Sequence, residues 1–382
     1  MTKKRASVYL GRAGGGAEAP ALRSGPRQNP AGARTKTGNG FCITGRTDMS
    51  LTKAAHTLRA GFVAAFASAA LFSTTAAAEP EITFRAAHSS TPSSTGHKAF
   101  EFLDKELREK SGGRIGLEIF PNSQLGGERE LVENIQFGNV DLTFVSSAPV
   151  ASFAPQFFAF DVPFLFKDRG QAYKVLDGDV GKEILGSLND KGMVGLAYWE
   201  NGFRQLTNNK KEIRSPDDLA GLKMRTMENE VHIAAWRAEG ANPAPLAFNE
   251  LFTALQQGTF DAQEGPINLF YDMKFNEVQK FISKTNHIYS PWPLLANPDK
   301  LASLSDEDRA IFDEAVKAAT DYQRGLAKEA DDKAEAAMTD VTFTTLTPEE
   351  LKAFSDKVVP IVDLVKQKAG ADLVDRLLAA AK

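Results

Sequence analysis

The stretch from Glu81 to Val145 alternates between two hydrophobic periods, and that alternation limits the folds open to the chain. Glu81 to Ala87 sets Ile82, Phe84 and Ala86 on one side, the pattern of a half-buried strand. A Ser/Thr/Pro/Gly loop runs from His88 to Gly96. Phe100, Leu103 and Leu107 then share a helical face that stops at Ser111-Gly112-Gly113, a C-cap signal. Ile115, Leu117 and Ile119 alternate again, a helix is expected from about Glu128 to Phe137, and Val140 to Val145 reads as an apolar strand. A β-α-β-α-β order implies a parallel sheet joined by crossover helices.

A second set of the same kind follows. Val194 to Trp199 is strand-like. Ser215-Pro216-Asp217-Asp218 has Ser as N-cap, Pro at N1 and Asp at N3, a helix start. Leu222 to Thr226 is predicted as a strand, Asn229 to Glu239 as a helix, Asn249 to Gln257 as another, and Phe260 to Glu264 as a short strand. From Ser305 to about Met338 an unbroken helical pattern carries Ile311, Phe312, Ala315, Val316, Ala319, Tyr322 and Leu326 on one stripe. Such a helix spans roughly 50 Å, more than one small domain, and is expected to act as a beam across two. Thr347-Pro348-Glu349-Glu350 opens a last helix. No Gly- or Pro-rich linker separates the two α/β sets, which suggests that the chain crosses between them.

The N-terminus has a different character. Residues 1–48 are rich in Gly, Arg, Pro and Asn without apolar period and are expected to lie outside any fold. From Met49, Lys53 and Arg59 precede an apolar run from Gly61 to Phe72, and Ala76-Ala77-Ala78 forms an A-x-A site. This is the pattern of a secretory signal peptide over 49–78, too short to span a bilayer, with Glu79 as the mature N-terminus and Met49 as the expected start of translation. Residues 1–78 hold 11 Lys and Arg against 2 Asp and Glu; residues 79–382 hold 34 against 47, a net charge of −13. So acidic a body argues against nucleic acid or anionic membrane as a partner. The one cysteine, Cys42, precedes the signal, so the mature chain has neither thiol nucleophile nor thiolate metal ligand.

Enzyme signatures are missing: no G-x-S-x-G, no Walker A, no G-x-G-x-x-G after a strand, no H-E-x-x-H. His88, His97, His232 and His287 do not pair at metal-ligand spacing and are expected to be solvent-facing or structurally satisfied. The chain therefore reads as a binder that uses no cofactor and no metal.

Four stretches then carry a resemblance: PNSQLGGERELVENIQFGNVDLTFVS (121–146), NGFRQLTNN (201–209), the long run from Ser215 to Pro266, and FNEVQKFISKTNHIYSPWPLLAN (275–297). Together they resemble the periplasmic solute-binding proteins of TRAP transporters, the DctP family. The ordered series G-L-K-x-R, G-A-N-P-x-P, E-x-x-x-A-L-Q and D-x-Q-E is its most specific part. The resemblance implies an α/β fold, a two-domain periplasmic-binding-protein clamshell with hinge strands and a long domain-spanning helix. Domain I would hold 79–201 plus 290–330, and domain II 202–289 plus 331–382. It also implies a monomeric periplasmic receptor that captures a small carboxylate, such as a C4-dicarboxylate, a 2-oxo or hydroxy acid or a sugar acid. The receptor would pass it to the small and large membrane subunits of the transporter. An ABC-type receptor or a ligand-sensing adaptor is the alternative.

By the same resemblance Arg225, in G-L-K-x-R, holds the ligand carboxylate. A guanidinium fork suits the task, because it makes two parallel hydrogen bonds that Lys cannot copy. Arg204, in N-G-x-R, resembles a second cationic contact, with a structural ion pair as its rival role. Phe248 would pack against the ligand. Glu264 belongs to Gln263-Glu264-Gly265-Pro266, where many relatives have Asn at the position of Gly265; Asn268 is expected to reach in instead. His88, Ser89, Ser90, Glu128, Ser146 and Ser147 stand on loops after predicted strands and are expected to line the cleft from domain I. Trp199 and Trp292 flank the expected hinge.

Overall fold

The computed structural model describes residues 79–382; the expectations placed on 1–48 and 49–78 lie outside the described residues. Two mixed sheets organise this part. The strands are β1 (Ile82–Ala87), β2 (Ile115–Phe120), β3 (Leu142–Phe144), β4 (Val194–Phe203), β5 (Gln205–Asn208), β6 (Lys223–Thr226), β7 (Asn242–Pro245), β8 (Ala262–Gly265), β9 (Phe281–Lys284), β10 (Tyr289–Ala296) and β11 (Thr342–Thr345). The first sheet has the order β2-β1-β3-β10-β4 and the second β11-β9-β5-β8-β6-β7. β1 runs parallel to β2 and β3, as the alternation requires, and β10 runs antiparallel to β3 and β4.

The sheets are joined where strands pass from one to the other. β4 of the first sheet leads to β5 of the second through Arg204 alone, and β9 returns to β10 through residues 285–288. The two crossings touch: the Arg204 amide donates to the Ile288 carbonyl at 2.8 Å. A third connection is the helix Asp306–Ala337 of 32 residues, about 48 Å long. Ser305 caps it, accepting from the Asp308 amide at 3.1 Å, and Asp306, Glu307 and Asp308 in the first turn suit its dipole. Its first half puts Phe312, Ala315, Val316 and Ala319 into the core of the first lobe with Phe84, Phe100, Phe144, Trp199 and Trp292. Its end gives Ala334, with Met338 after it, to a core of the second lobe containing Phe270, Phe275 and Ile282. Fully burying each large side chain contributes about 1.5–3 kcal/mol, so the helix is anchored at both ends.

Local signals explain the elements that hold the site. Helix Thr95–Ser111 starts at Ser94, whose hydroxyl accepts from the His97 amide, and stops at Gly112 with φ +63°. Only Gly adopts that left-handed cap without a Cβ penalty. Ser215 and Asp218 form the expected capping box, but the helix is a single 3₁₀ turn, Pro216–Leu219. Gly221, at φ +81°, turns the chain straight into β6.

Four further features differ from the sequence reading. β7 went unread because Asn242-Pro243-Ala244-Pro245 contains two prolines; it is tolerated because β7 is an edge strand. Residues 147–193, which carry no clear period, form short helices at Ser147–Val150, Arg169–Leu176 and Asp179–Gly186 and a 3₁₀ segment at Pro155–Asp161. The final helix is three: Pro348–Val358, Ile361–Ala369 and Ala371–Ala380. Ile361, Val365, Leu373, Val374 and Leu377 enter a core with Phe157, Phe160 and Ile184 of the first lobe. The chain end, expected with domain II, thus packs on the first-lobe helices because its apolar stripe finds its partners there.

Candidate functional site

The crossings bring strand ends from both lobes around one narrow, partly enclosed pocket. In the second lobe, β6 supplies Arg225, β8 supplies Gln263, Glu264 and Gly265, and the β4–β5 crossing supplies Arg204. Ser89 and Ser90 follow the end of β1, Ser146 follows β3, and Glu128 is the first residue of helix Glu128–Gln136. Loops after the carboxyl ends of parallel strands are where α/β sheets open crevices. Met227, Phe248, Leu269, Phe270, Phe275 and Trp292 make the apolar wall. Such a pocket, apolar with a few convergent polar groups, suits a small ligand. A larger, more open groove lies beside it at residues 227–229 and 246–248, lined by Glu130, Glu228, Glu230 and Glu250. Its carboxylates make it the poorer place for an anion.

Arg204 and Glu264 are each almost fully buried and paired. Arg204 Nη2 donates to Glu264 Oε1 and to the Glu264 carbonyl, both at 2.8 Å, and Nε donates to Oε2. His287 Nε2 lies 3.2 Å from Glu264 Oε2, and His232 Nδ1 lies 3.9 Å from Oε1. Burial alone would push the Glu264 carboxyl up; Arg204, His232 and His287 outweigh it and hold it well below the usual carboxylate range. His232 Nε2 in turn meets Asp161 Oδ1 at 3.0 Å, and Asn229 Nδ2 donates to Asp161 Oδ2 at 2.7 Å. Burial pulls the His232 imidazole down, but Asp161 overcomes this and raises its pKa to about 9, so it is cationic at neutral pH. Burial pulls His287 down.

Arg225 is different. It is 2% exposed, and its Nε and Nη2 donate only to the Leu246 carbonyl, at 2.9 and 2.7 Å. Among the described residues it forms no ion pair. Burial lowers its pKa to about 10, partly offset by Glu264, so it stays charged at neutral pH. A buried cation without a counter-ion is costly, and its natural complement is an anion from outside. Glu128 faces it across the pocket. Its Oε1 accepts from the Ser146 amide at 2.8 Å and hydroxyl at 2.9 Å; its Oε2 takes no hydrogen bond from the described residues. Burial pushes this carboxyl up, against the pull of the Ser146 bonds and the two arginines.

Eight of the eleven residues expected at the site line this pocket: Arg225, Arg204, Phe248, Glu264, Glu128, Ser146, Ser89 and Ser90; Ser147 does not. Nor does His88. It continues the inward alternation of β1, stacks on Phe144 at 4.9 Å, and sets Nε2 2.9 Å from His97 Nδ1. Burial, with His97 beside it, lowers its pKa to about 3, so it is a neutral core residue. Asn268 also lies elsewhere. Its backbone amide donates to Asp331 Oδ1 at 3.0 Å and the residue lines a separate groove with Ser93, Thr95 and Lys98. Of the hinge tryptophans, Trp292 lines the pocket, whereas Trp199 is core and donates from Nε1 to Thr320 Oγ1. Asp161, His232 and His287 are the additions. Nothing in their spacing links Asp161 to a histidine 71 residues on.

The profile of bacterial extracellular solute-binding protein family 7, DctP, matches residues 86–368. The 2,3-diketo-L-gulonate-binding periplasmic protein YiaO of Escherichia coli K12 is 39% identical over 290 residues, 76% of this chain and 88% of that one. A sugar acid binding protein from Advenella mimigardefordensis, solved with galactonate, superposes with a TM-score of 0.77 at 36% identity, over 79% of this chain and 98% of that one. A TRAP periplasmic solute-binding protein from Sulfurospirillum deleyianum with bound succinate gives 0.76 at 34%, over 79% and 99%. The chain belongs to bacterial extracellular solute-binding protein family 7, the periplasmic receptors of TRAP transporters.

Proposed function

We propose that this protein captures a small organic acid in the periplasm, with Arg225 as the clamp for its carboxylate, and delivers it to the small and large membrane subunits of a TRAP transporter. The observation that carries this is the charged, buried Arg225 with no ion-pair partner among the described residues. The carboxylate supplies the missing charge and accepts from the guanidinium edge that Leu246 leaves open. Arg204 acts mainly by neutralising Glu264 and tying the hinge crossing to β8. Ser89, Ser90, Glu128 and Ser146 close on the ligand from the first lobe, so the bound state favours closure by bridging both lobes. Residues 49–78 direct export and are removed, and the ligand leaves unchanged.

The test is thermal melting of ligand-stripped protein against organic acids, neutral sugars and amino acids. A ligand that binds only the folded state raises the melting temperature. Shifts confined to acids are expected. Shifts with neutral sugars and none with any acid would overturn the role given to Arg225.

A further inference from the structure

The pocket contains more charges than it has free ones. Arg204 is bound to Glu264 through both faces of its fork, and the His232 cation is held by Asp161. Among the described residues one cation, Arg225, and one carboxyl, Glu128, stand outside these ion pairs. Glu128 is fixed in place, because the Ser146 amide and hydroxyl both hold Oε1, which leaves Oε2 free to accept. In the same pocket wall, the Ser89 hydroxyl is buried without a hydrogen-bond partner among the described residues. A ligand whose carboxylate sits on Arg225 therefore presents the rest of its length to a fixed acceptor and an unsatisfied hydroxyl.

These two groups suit different ligands unequally. A ligand hydroxyl donates to Glu128 and can pair with Ser89, relieving both. A second carboxylate has no proton to donate to Glu128 and, among the described residues, no second unpaired cation to meet it, and it brings a second negative charge into a buried site. Selection of this kind works as much by repulsion as by attraction. A site built to hydrogen-bond a hydroxyl also penalises a ligand that leaves its polar groups unpaired.

We propose that Glu128 is a specificity-determining residue that makes this receptor select hydroxylated monocarboxylates, the aldonate class, over dicarboxylates. This rests on Arg225 holding the first carboxylate.

The experiment is calorimetric titration of ligand-stripped wild type and Glu128→Gln with D-erythronate, D-galactonate and succinate. Erythronate and succinate both have four carbons, so the pair isolates hydroxyls against a second carboxylate. In the wild type the better aldonate should bind at least about 100-fold more tightly than succinate. Glu128→Gln keeps the shape and an acceptor but removes the charge, and should narrow the ratio to about tenfold or less by gaining succinate affinity. A wild type that binds succinate as tightly as either aldonate overturns the proposal, whatever the variant does. So does a folded variant with an unchanged ratio. If the wild type binds acids but Arg225→Ala binds them equally well, the clamp fails, and this inference fails with it. Retained dependence on Arg225 with no discrimination between the acids sinks the role of Glu128 alone.

Discussion

Arg204 and Arg225 stand in the same pocket, each 2% exposed, yet their charges are handled in opposite ways. Arg204 has a carboxylate, a carbonyl and two nearby histidines arranged around that carboxylate. Arg225 has one backbone carbonyl. The first is part of the folded molecule; the second is half of an interaction completed by something else. Burial alone therefore does not separate a structural cation from a binding one. The partner does, and mutation can show it.

The largest expected effect is on the paired arginine. Arg204→Ala leaves Glu264 charged and buried, and should cost about 3–5 kcal/mol of stability, read by urea denaturation of the ligand-free protein. Arg225→Ala should do the reverse: ligand-free stability unchanged or slightly higher, and affinity for the organic acid reduced by about 2–5 kcal/mol in calorimetry. If both variants lose stability alike, the distinction fails.

The same comparison extends to pH. The folded pKa of His232 is about 9, above its ordinary value of 6.5, so its pairing with Asp161 stabilises the fold fully below about 6.5 and is lost as pH rises through 9. Glu239, raised by burial to about 8, also lowers stability as pH rises, but between its ordinary 4.5 and 8. The difference between wild type and His232→Gln isolates the imidazole. Wild-type stability should fall relative to the variant by roughly 1–3 kcal/mol between pH 6.5 and 9. A constant difference would mean that His232 is neutral and the network around Glu264 has one cation fewer. The smallest effect is expected at Asn268, which lines the separate groove. Asn268→Ala should change affinity by less than about twofold, a surface-sized perturbation; a larger loss in the same titration would place it at the ligand.

Much of this was legible in the sequence, and unevenly. The β-α-β-α-β run and the long helix declared themselves because their periods extend over many residues, and the helix even has its expected cap at Ser305. Arg225 was marked by its motif. What could not be read was partnership. Glu264 stood in a recognisable tetrapeptide, but its bonds to Arg204 and His287 depend on three segments meeting at the crossings. Asp161 lies in a stretch without period, so the reason for a charged His232 was hidden. His88 misled because a polar residue after a strand is usually a loop residue, whereas here the strand's inward alternation carries one position further. The C-terminal helices gave their amphipathic stripe but not the surface that receives it.

The helix Asp306–Ala337 also bears on how such receptors can be recombined. It fills one core with Phe312, Ala315 and Ala319 and reaches another with Ala334. A chimaera that takes one lobe from this protein and the other from a relative must inherit the helix from a single parent. One of its two faces would then meet side chains it was not selected to fit, with the losses that mismatched cores incur. The lobes can differentiate in what they bind, but they are not interchangeable modules, and grafting a new specificity should succeed by replacing pocket residues rather than halves of the molecule.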